Sequence, residues 1–184
     1  MNNLRELSFE DLAALICSTL LANGVRVTLS GGACAQIYSA GVYVTGDLDF
    51  VVNYLVPGEQ EREIEAAMSQ LGFRRSGRLY VSDTIEYTVE FPPGPLGIGD
   101  QWQIRPVEMH LRTGVLSLLS PTDCVKDRLA TFFYAGDRQC LRQALLVCRR
   151  NEVDVDDVRR WGAAERQGDK MGEFSRGLAG ATVE

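Results

Sequence analysis

The sequence predicts an α/β fold: a small mixed, twisted sheet with helices largely on one face, followed by three helices that wall one side of a cleft. Three observations carry this expectation. Across residues 25–52 a β-branched run ends in a glycine pair, a helix-compatible segment follows, and a second strand closes the unit. Between 73 and 111 short strand-like runs recur, punctuated by glycine and proline. From Ser120 onward the pattern changes to capped helices.

Taken in order, Ser8 and Asp11 form a capping signal, and Leu12, Leu15, Ile16, Thr19 and Leu20 repeat at helical spacing until Gly24. That spacing predicts a helix over 9–22. "VRVTLS" (25–30) is a strand running into Gly31-Gly32, "ACAQIYSA" is helix-compatible up to Gly41, and "DLDFVV" is the next strand. Residues 58–72 form an amphipathic helix with Ile64, Ala67, Met68 and Leu71 on one side. "FRRSGRLYVS" (73–82) and "TIEYTVEF" (84–91) are read as strands, "PPGPLGIGD" as loop, and "WQIRPVEMHL" (102–111) as a strand whose proline suggests an edge or a bulge.

Ser120 as N-cap, Pro121 at the first helical position and Asp123 open the helix "PTDCVKDRLATFFY". Asp137 caps a second helix over 137–150, and Asp154 a third over 155–166. The glycine-rich residues 167–184 read as a loose tail. The organisation expected is a core over 1–115, a helical portion over 116–166 packed on it, and that tail.

At 184 residues and 45% apolar content the chain is long enough for one domain with a genuine core. A net charge of −6 and no run of five like charges exclude the electrostatic footprint of a general nucleic-acid binder. Acidic residues interrupt the apolar ones near Met1, and no stretch approaches the ~18 apolar residues of a membrane span. A cytoplasmic protein without membrane contact is therefore expected. Cys17, Cys34, Cys124, Cys140 and Cys148 are odd in number and contain no C-x-x-C pair, and His110 is the only histidine. Neither a disulfide frame nor a Cys/His zinc site fits that inventory.

On an extended strand Asp47 and Asp49 project together, roughly 7 Å apart, while Leu48 and Phe50 point the other way. Two anions so placed repel unless a cation lies between them, and magnesium or manganese is the usual solution. Gly31-Gly32 stands at a strand-to-helix junction, where a ligand can approach the backbone and the helix start offers unpaired N–H groups. Alone, each feature also describes an ordinary solvated strand face or a tight turn. Together they fit metal-assisted transfer at a nucleotide phosphate.

At these residues the sequence resembles the nucleotidyltransferase superfamily that shares the DNA polymerase beta fold. Gly31-Gly32, fourteen intervening residues and Asp47-Leu48-Asp49-Phe50 match its signature, and Ala33, Ala35 and Thr45 look like the abortive-infection, type IV toxin branch. The basic residue often found nearby in that branch has no counterpart at Tyr43. The resemblance is sharp over 29–52 and compatible through 166.

The resemblance implies the nucleotidyltransferase fold and transfer of a nucleoside monophosphate from a triphosphate to a hydroxyl. It implies that Asp47 and Asp49 bind Mg2+ or Mn2+ and that Ser30, Gly31 and Gly32 cradle phosphates. A third carboxylate on an adjacent strand is also implied; Glu86, Glu90 and Glu108 are candidates, of which Glu90, at a strand end, is chosen and Glu108 is next. Lys126, one of only two lysines, is the candidate base on the helical portion that reaches the triphosphate. The acceptor stays open among a tRNA end, a protein hydroxyl and a small molecule such as an aminoglycoside. Arg74, Arg75, Arg78, Arg105 and Arg112 would build the local patch that an RNA tip enters.

Two other accounts start from the same residues. Haloacid dehalogenase-like phosphatases also use Asp-x-Asp, but need an uninterrupted strand before it and a glycine-containing loop after it, the reverse of Thr45-Gly46 before and "FVVNYLV" after. A non-catalytic nucleotide-binding or partner-binding module, one half of a toxin and antitoxin pair with a cognate protein, is the second.

Overall fold

Val27–Ser30 (β1) runs into Gly31–Tyr38 (α2), and the chain returns antiparallel to β1 as Asp47–Val52 (β2). The computed structural model describes residues 4–53 and 60–180. A short 3-10 turn, Leu4–Glu6, and helix α1, Phe9–Ala22, precede this unit; Ser8 caps α1 by accepting from the Asp11 N–H at 3.1 Å. Helix α3, Glu61–Gln70, follows β2 with Ile64, Ala67 and Met68 buried; residues 58 and 59 of the expected helix lie outside the described ones.

Among the described residues seven strands form one mixed sheet, in the order β3-β4-β5-β2-β1-β7-β6. The segment 73–82, expected as one strand, is a hairpin of Arg74–Ser76 (β3) and Leu79–Val81 (β4), because Gly77 adopts φ +65 and reverses the chain. Thr88–Glu90 (β5) is shorter than expected and lies parallel to β2. Val107–Leu111 (β6) is the edge strand that Pro106 suggested, and it pairs with Gly114–Leu118 (β7), a strand not anticipated. Two residues, Arg112 and Thr113, suffice for that turn.

The C-terminal helices are Pro121–Ala135 (α4), Arg138–Arg150 (α5), Val155–Ala164 (α6) and Gly168–Ala179 (α7). Ser120, Asp137 and Asp154 each accept from the expected backbone N–H, and Gly136 ends α4 at φ +73. Helix α7 corrects the expectation of a loose tail from 167. Low intrinsic propensity is overridden by burial of Met171 and Phe174 and by close approach at its glycines: a Cβ on Gly177 would lie 2.6 Å from Leu145. Residues 181–184 lie outside the described ones.

One contiguous core joins these layers. Ile16 and Leu20 of α1, Leu48 and Phe50 of β2, Leu116 and Leu118 of β7, and Leu129 and Phe132 of α4 all belong to it. No described helix is long and apolar enough to cross a membrane.

Candidate active site

Strand β2 alternates as the sequence requires: Leu48, Phe50 and Val52 are buried, Asp47 is exposed and Asp49 half-buried. Its parallel register with β5 sets Thr88 beside Asp47 and Glu90 beside Asp49. The sheet thus brings Asp47, Asp49 and Glu90 onto neighbouring strands. Glu108 sits on β6 at the far edge, and Glu86 precedes β5 and lines a separate cavity of about 640 Å3 with Leu4, Leu12, Ile85 and Tyr87. None of the three clustered acids lines that cavity.

Helix α2 begins against the acids. Gly31 has φ +70, and a Cβ there would lie 2.5 Å from Asp49 Oδ2, so both backbone and space demand glycine. A Cβ on Gly32 would meet the Tyr43 hydroxyl at 3.1 Å and Thr45 Oγ1 at 3.3 Å. The connection from α2 to β2 therefore folds two hydroxyls over the helix start. It is held there by Gln36 Oε1, which accepts from the Thr45 N–H at 2.7 Å, and by Thr45 Oγ1, which accepts from the Asp47 N–H at 3.3 Å.

The proposed cradle is engaged internally. The Ser30 hydroxyl donates to the Asp49 carbonyl at 3.3 Å, and the Gly31 N–H donates to Asp127 Oδ2 at 3.2 Å. Asp127, on α4, also accepts two bonds from Arg128, at 3.0 and 2.7 Å. Burial works against the charge of Arg128, but Asp127 more than offsets it and holds the guanidinium protonated more firmly than usual.

Electrostatics at Asp49 follow from this crowding. Burial, then Glu90, raise its pKa from 3.8 to about 6, with smaller contributions from Asp47 and Asp127, while Arg128 opposes the shift. The donor set is all carboxylate oxygen, the chemistry a hard divalent cation takes. As the side chains stand, no group of three carboxylate, histidine or cysteine side chains among the described residues is arranged to hold one ion. Thr88 Oγ1 donates to Asp47 Oδ1 at 2.5 Å, and Glu90 Oε1 lies 3.4 Å from Arg78 Nε. Register fits the cation; a shared ion requires rotation of Asp47 and Glu90 away from these two partners.

Lys126 is engaged with partners other than the three acids. It is 1% exposed, with its ammonium 2.5 Å from Asp157 Oδ2, 3.6 Å from Asp123 Oδ1 and 3.1 Å from Gln101 Oε1. Those partners tie α4 to α6 and to the loop following β5. The base of α4 that faces Asp49 is Arg128, two residues and about 200° further round the helix. Sequence reading missed Asp127 and Arg128 because the capped-helix pattern locates α4 without setting which of its faces meets α2. Thr88 was visible on the face of Glu90, but its bond to Asp47 needs the β2–β5 register.

The arginine patch also divides. Arg74, Arg75 and Arg78 sit on the hairpin beside β5, whereas Arg112, paired with Asp11 at 2.9 Å, belongs to the β6–β7 turn at the other end of the sheet. His110 is exposed on edge strand β6.

No protein-family model and no curated protein matches this sequence. Solved structures do. An antigenic nucleotidyltransferase-like protein from Paracoccidioides brasiliensis superposes with TM-score 0.59 at 14% identity, covering 93% of this chain and 92% of that one. ANT(2'')-Ia in complex with adenylyl-2''-tobramycin superposes with TM-score 0.54 at 16% identity, covering 82% of this chain and 92% of that one. The solution structure of the antibiotic-resistance factor ANT(2'')-Ia gives 0.51 at 17% identity, over 88% and 95%.

The fold is that of nucleotidyltransferases. Within the nucleotidyltransferase fold of this chain, the acids lie on two adjacent parallel strands and Gly31 opens the helix packed against them.

Proposed function

We propose that this protein is a nucleotidyltransferase, moving a nucleoside monophosphate from a nucleoside triphosphate to a hydroxyl and releasing pyrophosphate. The observation that carries the reading is the juxtaposition of Asp47 and Asp49 on β2 with Glu90 on β5, directly in front of Gly31. The fold shared with ANT(2'')-Ia, a protein solved with an adenylylated aminoglycoside, supports it.

In this reading Asp47, Asp49 and Glu90 hold Mg2+ or Mn2+, whose charge offsets that of the triphosphate. Glu90 accepts the proton of the acceptor hydroxyl. The acceptor oxygen then bonds to the α-phosphorus as the bond to the pyrophosphate oxygen breaks. Arg128, rather than Lys126, faces the phosphates, and Ser30, Gly31 and Gly32 give the backbone room beside them. The acceptor is an RNA end, a protein hydroxyl or a small molecule, and the toxin branch rests on the motif over 29–52 alone.

One observation favours a second reading. Glu90 paired to Arg78 and Asp47 bonded to Thr88 is the arrangement a non-catalytic nucleotide-binding or partner-binding module would keep. Calorimetric titration with each of the four nucleoside triphosphates, with and without magnesium, tests the site. Binding of one nucleotide that requires magnesium and is lost in Asp47→Asn/Asp49→Asn is the expected result. Transfer of label from that nucleotide's α-phosphate to a hydroxyl acceptor then tests catalysis. Binding without any transfer supports a nucleotide-binding module, and no binding at all refutes the transferase and leaves the partner-binding module.

A further inference from the structure

We propose that edge strand β6 pairs antiparallel with β6 of a second copy of this chain, making a dimer with one continuous sheet. The two ends of the sheet differ. Strand β3 is three residues long and carries exposed Arg74 and Arg75, charges that repel an incoming strand. Strand β6 is five residues long, with no lysine or arginine, and Val107 is 38% exposed.

The hairpin fixes which groups face outward. A two-residue turn flanked by Leu111 and Gly114 makes that pair exchange both backbone bonds, so Leu111, Met109 and Val107 bond inward to β7. On β7 the alternate residues behave accordingly: the Val115 N–H donates to Ser18 Oγ at 2.9 Å and the Ser117 N–H to Cys17 Sγ at 3.4 Å, both away from β6. By the same alternation the N–H and C=O of Glu108 and His110 point to the open edge. No backbone partner for these outward groups occurs among the described residues.

The strand is complementary to itself. A two-fold axis through Met109 sets Glu108 of one copy opposite His110 of the other, twice, with about four backbone hydrogen bonds between the outward groups. On the face shared with buried Leu116 and Leu118, Val107 meets Leu111 and Met109 meets its own copy, which extends the apolar layer. No other spacing along β6 pairs its acid with its histidine at both positions. The acids of β2 and β5 lie toward the other end of each sheet and stay open.

Sedimentation velocity of the full chain from about 1 to about 100 µM tests this, because self-association follows mass action. The expected result is a mass rising toward twice the 20.3 kDa protomer. His110→Pro removes an outward N–H that β7 does not use and should return the chain to protomers with its thermal unfolding intact. Glu108→Lys should weaken the dimer by about tenfold, since it sets lysine against histidine twice, and Glu108→Lys/His110→Glu should restore it. A wild type that sediments as a protomer throughout overturns the proposal, as does a dimer that neither single variant weakens.

Discussion

Replacing Gly31 by alanine perturbs fold and site at once, and its size can be worked from the geometry. At φ +70 a side chain costs about 1–2 kcal/mol. The added Cβ falls 2.5 Å from Asp49 Oδ2, so the carboxylate must move, which adds about 1–2 kcal/mol of overpacking. Gly31→Ala should therefore lose about 2–4 kcal/mol. For a chain of this size, at about 2–4 °C per kcal/mol, that lowers Tm by about 4–16 °C. Gly32→Ala is the internal control. Its φ is not left-handed, its Cβ meets the Tyr43 hydroxyl at 3.1 Å, and alanine gains up to about 1 kcal/mol of helix propensity, so it should be close to neutral. Urea unfolding and calorimetry of both variants measure the difference. If Gly31→Ala lies within about 0.5 kcal/mol of Gly32→Ala, the close approach of α2 to Asp49 is refuted.

Three further outcomes follow from the same geometry. Lys126→Met leaves Asp157 without its buried cation; because Asp157 retains 37% side-chain exposure, the loss should be about 2–3 kcal/mol rather than the larger cost of a fully buried pair, read as a lower urea midpoint. Arg128→Ala should weaken triphosphate binding by about tenfold or more, whereas Lys126→Met should leave it nearly unchanged in titrations run well below Tm. An equal loss in both would return Lys126 to the site. Asp49 binds a proton more tightly folded, at about 6, than at its ordinary 3.8, so between these values the native state holds more protons and stability rises as pH falls. Asp49→Asn should then be more stable than wild type above about pH 6 and should lose that advantage as pH approaches about 4. Urea midpoints across pH that show no such convergence would mean the acids are not crowded.

Local signals were legible because they are local. The caps Ser8, Ser120, Asp137 and Asp154 act on N–H groups two or three residues away, and the alternation of Asp47, Leu48, Asp49 and Phe50 is a property of one strand. Strands of three residues, such as β3, β4 and β5, give too few alternations to fix their ends, and β7 was hidden behind a two-residue turn. Helix α7 was missed for a related reason. Its glycines argue against a helix until Leu145 and the buried core supply the contacts.

The sequence by itself determined the strand–glycine–helix–strand unit, the two aspartates on one face and the capped helices, since each depends on backbone periodicity and neighbours along the chain. Tertiary structure decided the rest of the site. Strand order places Glu90, and not Glu108, beside Asp49, since β5 lies next to β2 and β6 at the far edge. The rotation of α4 in its packing turned Lys126 into a buried tie with Asp157 and set Asp127 and Arg128 before Gly31. A helical period states which residues share a face, but the apolar packing of α4 against α2 and α6 states where that face points.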